Sequence, residues 1–224
     1  MTASASVEIA IVGAGVVGLA TALRLAGEGR EVMLIDPNEP GSGASFGNAG
    51  TLAEYACVPV GTPAVLRALP KLLLDPDSPF ALRWPALFQL APWLARFARQ
   101  SLPGATRANA AALAGLLGDA LPAWQDMAAE AGATDLLRRN GCLYLFRQSG
   151  DVAASAPSRQ LRAEFGVHQQ ILDPAAVAAL EPRLPPVSGG GLYFPDSLNV
   201  TDPSVLMRRL FDAASARGVT FQRA

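Results

Sequence analysis

Histidine and cysteine are nearly absent from this chain. His168 is the single histidine among 224 residues, and the two cysteines, Cys57 and Cys142, lie far apart. They form no CxxC pair and no ligand cluster with the histidine. That spacing excludes the common zinc frameworks and a disulfide scaffold, so no metal is expected and a reducing cytoplasm is the expected compartment. Charge is also sparse, at 17% of residues, and the net value is -1 with a pI of about 5.8. Such a balance offers no basic face for nucleic acid. A long hydrophobic run is missing too: the apolar stretch from Ile9 to Ala20 is too short to span a bilayer and is broken by glycines. The opening MTASASVEIA carries no basic n-region and no cleavage pattern. What remains is a chain that is 50% hydrophobic. It can bury a sizeable core and is long enough for one large domain or two small ones.

Its most informative stretch is IAIVGAGVVGLATALRLAGEGREVMLID, Ile9 to Asp36. Val7 to Val12 reads as a buried parallel strand. Gly13, Gly15 and Gly18 then spell G-x-G-x-x-G. The first glycine permits the tight turn, the second lets backbone approach a pyrophosphate, and the third lets helix pack closely on strand. A helix starting near Val16 would aim free N–H groups at phosphate. Leu19, Ala22, Leu23 and Leu25 follow at helical spacing, Gly29 marks the stop, and Val32 to Ile35 forms the second strand. Asp36 stands at the distance expected for an acid that grips the ribose hydroxyls. A glycine turn serving only close packing is the plain alternative; the complete strand–turn–helix–strand–acid context favours a dinucleotide.

An NAD-binding unit of this kind continues quickly into another helix. Here PNEPGSGASFGNAGT, Pro37 to Thr51, follows instead. Its glycines, serines and Asn48 suit neither helix nor strand. They supply backbone amides and small side chains where a flat, charged ligand is approached closely, although a plain surface loop has the same composition.

With GASFGNAG placed after that βαβ unit, the sequence resembles the FAD-dependent D-amino acid oxidase and dehydrogenase superfamily, and bacterial D-amino acid dehydrogenases in particular. LLLDPDSPFALRWP (Leu72 to Pro85), ALEPRL (Ala179 to Leu184) and DPSVLMRRLFDAASARGVTF (Asp202 to Phe221) extend the likeness along essentially the whole chain. The resemblance implies FAD held by Val12, Gly13, Ala14, Gly15, Val16, Val17 and Gly18, with Asp36 and Pro37 at the adenosine ribose. It implies Ser45, Asn48, Ala49 and Gly50 along the pyrophosphate and isoalloxazine. It further implies a mixed α/β fold: a Rossmann-like FAD-binding domain begun by residues 1–58, a largely helical cap or substrate region over 59–200, and a return to the nucleotide domain at 201–224. In the family the carboxylate-binding arginine comes from a region after a segment like GVTF. The chain is therefore expected to be the N-terminal portion of a longer enzyme, with catalytic residues beyond Ala224, and to bind FAD weakly or not at all when expressed alone.

Along the rest of the sequence, a helix between Ala86 and Arg99 places Leu87, Leu90, Leu94 and Phe97 on one face and Gln89, Arg96 and Arg99 on the other. A core-facing helix is the favoured reading; a membrane-surface or partner-docking face is the sharper one. Ala105 to Ala131 reads as helical with an interruption at Pro122. Cys142 to Phe146 reads as a strand and 151–166 as a helix. Asp173–Pro174 and Asp202–Pro203 open two further helices, each as N-cap and first helical residue. VTFQRA begins a strand.

The implied reaction is oxidation of an amine carbon, with hydride passing from Cα of a D-amino acid to flavin N5 and the imine hydrolysing to a 2-oxo acid. No dedicated base is needed if the neutral amine binds, so the scarcity of histidine is no objection. Tyr55 is the one weak catalytic candidate, with packing an equal alternative. His168 reads as structural or surface, and Cys57, with no adjacent His or Lys, as inert. Tyr193 and Asp196 are candidates to line a substrate cavity. A quinone is the expected acceptor, with peripheral contact at the inner membrane face. The alternatives are a glycine or sarcosine oxidase-like amine oxidase and a non-catalytic nucleotide-binding module; an NAD-dependent dehydrogenase is disfavoured by the glycine loop.

Overall fold

A computed structural model describes residues 7–74 and 84–224. The opening MTASAS and the central part of the Leu72–Pro85 block fall outside the described residues. In chain order the elements are β1 (Ile9–Val12), α1 (Val16–Gly27), β2 (Val32–Asp36), β3 (Thr51–Leu52), α2 (Pro63–Leu74), α3 (Leu87–Gln100), α4 (Pro103–Leu117), α5 (Ala120–Glu130), β4 (Leu137–Arg138), β5 (Cys142–Leu145), α6 (Ser149–Ala154), α7 (Ala156–Glu164), β6 (Gln170–Leu172), α8 (Pro174–Leu180), β7 (Gly191–Phe194), β8 (Leu198–Val200), α9 (Pro203–Ala216) and β9 (Thr220–Arg223). The class is mixed α/β, as expected from the alternation of apolar strands with 3.6-periodic segments.

Two compact units divide the chain: residues 1–53, 120–142 and 196–224 form one, and 54–119 with 143–195 form the other. In the first, β1 and β9 flank β2 in a parallel sheet; Ile9 stands opposite Val32, and Met33 opposite Thr220. Parallel neighbours need a crossover, and α1 supplies it between β1 and β2. A small antiparallel sheet places β8 between β3 and β4. The core is built by Leu19, Ala22 and Leu23 of α1, Leu34 of β2, and Leu206, Met207, Leu210 and Ala214 of α9, all essentially buried. Each large aliphatic side chain so buried contributes about 1.5–3 kcal/mol. The i, i+4 spacing of Leu206, Leu210 and Ala214 is the apolar stripe that brings α9 onto α1. At their far ends Glu130 of α5 accepts from Arg217 at 2.9 Å and meets Arg24 at 3.5 Å.

The second unit orders its sheet β5–β7–β6, with α8 following β6. Tyr55 stacks on Phe194 with ring centroids 4.0 Å apart, and Tyr144 meets both rings edge-on. The Arg162 guanidinium lies 5.3 Å from the Phe194 centroid and its Nε donates to the Tyr55 carbonyl.

Three expectations are corrected. The long helix breaks at Gly118–Asp119 and not at Pro122, which falls in the first turn of α5, where its missing N–H would be unpaired in any case. The 151–166 segment is two helices meeting at Ser155, with Pro157 in the first turn of α7. On α3 the inward face holds only for Leu94 and Phe97, which are half-buried; Leu90 is 41% exposed, and the Leu87 side chain lies outside those described. Both predicted Asp caps form: Asp173 accepts from the Ala176 N–H, and Asp202 from those of Ser204 and Val205.

Gly18 carries the tightest constraint in the first unit. A Cβ there would lie 1.9 Å from the Gly13 carbonyl oxygen. Gly18→Ala is expected to cost about 2 kcal/mol or more by forcing α1 off the turn, read as a lower urea midpoint in equilibrium unfolding.

Candidate nucleotide-binding site

β1 ends at Val12, and Gly13 turns the chain at φ +105°, a conformation open to glycine and costly for other residues. The turn is held from β2: the Gly13 N–H donates to the Ile35 carbonyl at 2.8 Å and the Ala14 N–H to Asp36 Oδ2 at 2.8 Å. Asp36 Oδ1 accepts from the Asn38 N–H at 2.8 Å. The carboxylate thus spans the glycine turn and the loop after β2, with lone pairs left over for further donors. These backbone bonds, Ala14 first and Asn38 next, hold the Asp36 carboxyl below its ordinary range.

Helix α1 begins without a side-chain cap at Gly15 and without an acid in its first turn. Its cap comes from a distance: the Val16 N–H donates to Ser45 Oγ at 2.9 Å. Ser45 is 7% exposed, and a Cβ at Gly15 would lie 3.3 Å from its Oγ. Among the described residues, the N–H groups of Gly15 and Val17 make no hydrogen bond, and the Ser45 hydroxyl proton has no acceptor. Val12 and Val17, beside the turn, are 85% and 76% exposed. Asn48 Nδ2 donates to the Ser45 carbonyl at 3.1 Å, and Asn48 Oδ1 accepts from the Gly50 N–H at 2.7 Å. Gly50, at φ +66°, exchanges no side chain with β8 because a Cβ would meet the Val200 carbonyl oxygen at 2.4 Å; the Val200 N–H instead donates to the Gly50 carbonyl. Ala49 is exposed beside this bend. A hollow of about 300 Å³ opens here, lined by Val16, Asn48, Gly50, Leu52, Trp124 and Leu206 among others. Trp124 carried no sequence signal, because its place on α5 is set only by tertiary packing. Pro37 is exposed, and its carbonyl accepts from Arg223 Nε at 3.0 Å.

The first unit therefore gathers the glycine turn, Asp36, Ser45, Asn48, Ala49 and Gly50. Bare N–H groups at a helix start, an unspent hydroxyl proton and a carboxylate with spare lone pairs fit the phosphates and ribose of a dinucleotide. Tyr55 belongs to the other unit, where it is 3% exposed within the aromatic stack. His168 is exposed between α7 and β6, and Asp196 pairs with Arg139 at 3.4 Å. Tyr193 is half-buried on β7. Burial pushes the Cys57 thiol up, with Arg162 pulling against it. No metal-holding cluster occurs among the described residues.

A carboxyl whose folded pKa is depressed contributes stability above its unfolded value of about 3.9, and the contribution vanishes as pH falls through the lower folded value. Unfolding midpoints measured from pH 6 to pH 3 are expected to fall more steeply for the wild type than for Asp36→Asn, and the variant is expected to be the less stable of the two at pH 6.

A family model described as FAD dependent oxidoreductase, DAO, matches residues 8–224. The chain is 36% identical over 223 residues to a D-amino-acid oxidase of Bradyrhizobium diazoefficiens, covering 97% of this chain and 52% of that one. It is 32% identical to a D-amino acid dehydrogenase of Methylobacterium nodulans, covering 96% and 52%. The chain thus spans about half the length of these relatives. Among solved structures, glycine oxidase from Geobacillus kaustophilus superposes with a TM-score of 0.61 at 22% identity, over 96% of this chain and 46% of that one. L-alpha-glycerophosphate oxidase from Mycoplasma pneumoniae, with FAD bound, gives 0.56 at 16% identity. At such identities the superpositions speak for the fold.

Proposed function

Because the chain belongs to the FAD dependent oxidoreductase family, we propose that its first unit holds the adenosine diphosphate portion of FAD in an enzyme oxidising D-amino acids. The observation that carries this reading is the glycine turn after β1, bound by Asp36 and bordered by the bare amides of α1. In it, Asp36 takes the ribose hydroxyls, Gly13 to Gly18 let the diphosphate approach backbone, and Ser45 to Gly50 lead toward the isoalloxazine. Residues 1–58 and 201–224 are assigned to the FAD-binding domain and 59–200 to the substrate region, although Ala120–Cys142 folds with the first unit. FAD held by Gly13 to Gly18, Asp36 and Ser45 would supply a two-electron oxidation at the amine carbon of a D-amino acid, whose imine product water would hydrolyse to the 2-oxo acid and ammonia. The 36% identity to a D-amino-acid oxidase along the chain supports D-amino acids over glycine or sarcosine as substrate class.

The relatives' length is twice what is present here, so the isolated 224 residues are expected to retain FAD weakly or not at all. Gel filtration followed by visible spectroscopy checks this; a yellow 224-residue chain would overturn it. In a chain of the relatives' length, anaerobic addition of D-amino acids is expected to bleach the flavin band. Bleaching by glycine or sarcosine alone would favour the amine-oxidase reading, and peroxide yield against dye reduction separates oxygen from a quinone as acceptor.

Peripheral contact with the anionic inner membrane surface is a second reading, favoured by α3. Phe88 is 89%, Trp93 58% and Leu90 41% exposed in its first half, with exposed Arg96 and Arg99 in its second. Apolar residues beside arginines suit an interface. Among the described residues no helix is long and apolar enough to cross a membrane. Flotation with phosphatidylglycerol vesicles is expected to carry the wild type, with about a tenfold loss in Phe88→Ser/Trp93→Ser.

A further inference from the structure

We propose that Asn48 is a positioning residue that sets Ser45 as a hydroxyl intermediary between helix α1 and a nucleotide diphosphate. The proposal rests on the dinucleotide reading and deepens it. The family resemblance implies Asn48 along the pyrophosphate and isoalloxazine. In the structure both ends of its amide are spent inside the loop, on the Ser45 carbonyl and the Gly50 N–H. That pairing also fixes the amide's orientation, since a flip would set donor against donor and acceptor against acceptor.

The loop so braced is pinned at its two ends. Gly50 is held by the Val200 N–H, which donates to its carbonyl at 2.7 Å, and by backbone so close that no side chain fits. Ser45 is held by the Val16 N–H across 29 residues of sequence. A hydroxyl that accepts from a helix's first amide keeps its own proton to give. The Ser45 proton has no acceptor among the described residues, on a side chain that is 7% exposed. A phosphate oxygen at the start of α1 completes a chain from amide to hydroxyl to anion, in which each bond polarises the next. The positive end of α1 thus reaches the diphosphate partly through a side chain and not solely through its own amides. Asn48 touches no ligand in this account; it keeps the Ser45 backbone where the hydroxyl reaches Val16.

The test uses ADP and adenosine as probes of a purified, cofactor-stripped chain of the relatives' length, with affinities read from amide shifts of residues 13–18 by NMR. Adenosine has the ribose and lacks the phosphates. Ser45→Ala is expected to weaken ADP about tenfold, the scale of one hydrogen bond to a charged group, and to leave adenosine unchanged. Asn48→Ala is expected to weaken ADP several-fold, again sparing adenosine, and to expose the Val16 amide to faster solvent exchange. The double variant is expected to bind ADP no more weakly than Ser45→Ala alone. Ser45→Thr, which keeps the hydroxyl, is expected to restore ADP binding. Should Asn48→Ala fail to fold, Asn48→Ser keeps an acceptor for the Gly50 N–H and gives up the amide nitrogen that donates to the Ser45 carbonyl. Equal losses for ADP and adenosine, multiplying effects in the double variant, or unchanged ADP affinity in the single variants would overturn the proposal while leaving the dinucleotide reading standing. A wild type of the relatives' length that takes neither probe would overturn both.

Discussion

The first unit depends on how closely α1 approaches the turn that precedes it. The absence of a side chain at Gly18 lets the helix's first turn sit against the Gly13 carbonyl. From that contact follow the direction of α1 over the β1–β2 pair and the seating of Leu19 and Leu23 in the core. The exposure of bare amides beside the turn follows as well. A single methyl group at Gly18 would disturb all of these at once, because helix packing and ligand approach use the same few ångströms of backbone.

Asp36 and Ser45 extend that economy. Each comes from outside the helix and satisfies a donor that the helix start would otherwise leave open: Asp36 the Ala14 N–H, Ser45 the Val16 N–H. Neither is exhausted by doing so. The carboxylate retains lone pairs and the hydroxyl retains its proton, so groups that organise the turn remain competent toward a ligand. Preorganisation of this kind limits the ordering that binding would otherwise require.

Much of this was legible in the residues. The glycine spacing, the apolar strands around it, the acid closing β2, and the Asp–Pro helix starts are local signals, and local chemistry decides them. Pro122 suggests a break between α4 and α5, but a first-turn proline disturbs nothing, and the chain breaks at Gly118–Asp119. The inward face of α3 was half wrong: periodicity reports which residues share a side of a helix, and says nothing of whether a neighbour covers that side along its full length. Nothing in the composition of the loop reveals that the Asn48 amide bonds to the Ser45 carbonyl and the Gly50 N–H. The capping of α1 by Ser45 and the lining by Trp124 arise from tertiary proximity, which no short pattern encodes.

The pairing of β9 with β2 bears on how the chain is made. Thr220 lies beside Met33, so β9 can join β2 only after everything between them has been translated. Segments 54–119 and 143–195, by contrast, are complete before β9 leaves the ribosome. The second unit is thus free to consolidate first. Meanwhile the edge of β2 waits unpaired, a flat row of amides and carbonyls open to any extended neighbour. During synthesis that edge stays open until α9 and β9 have emerged to cover it.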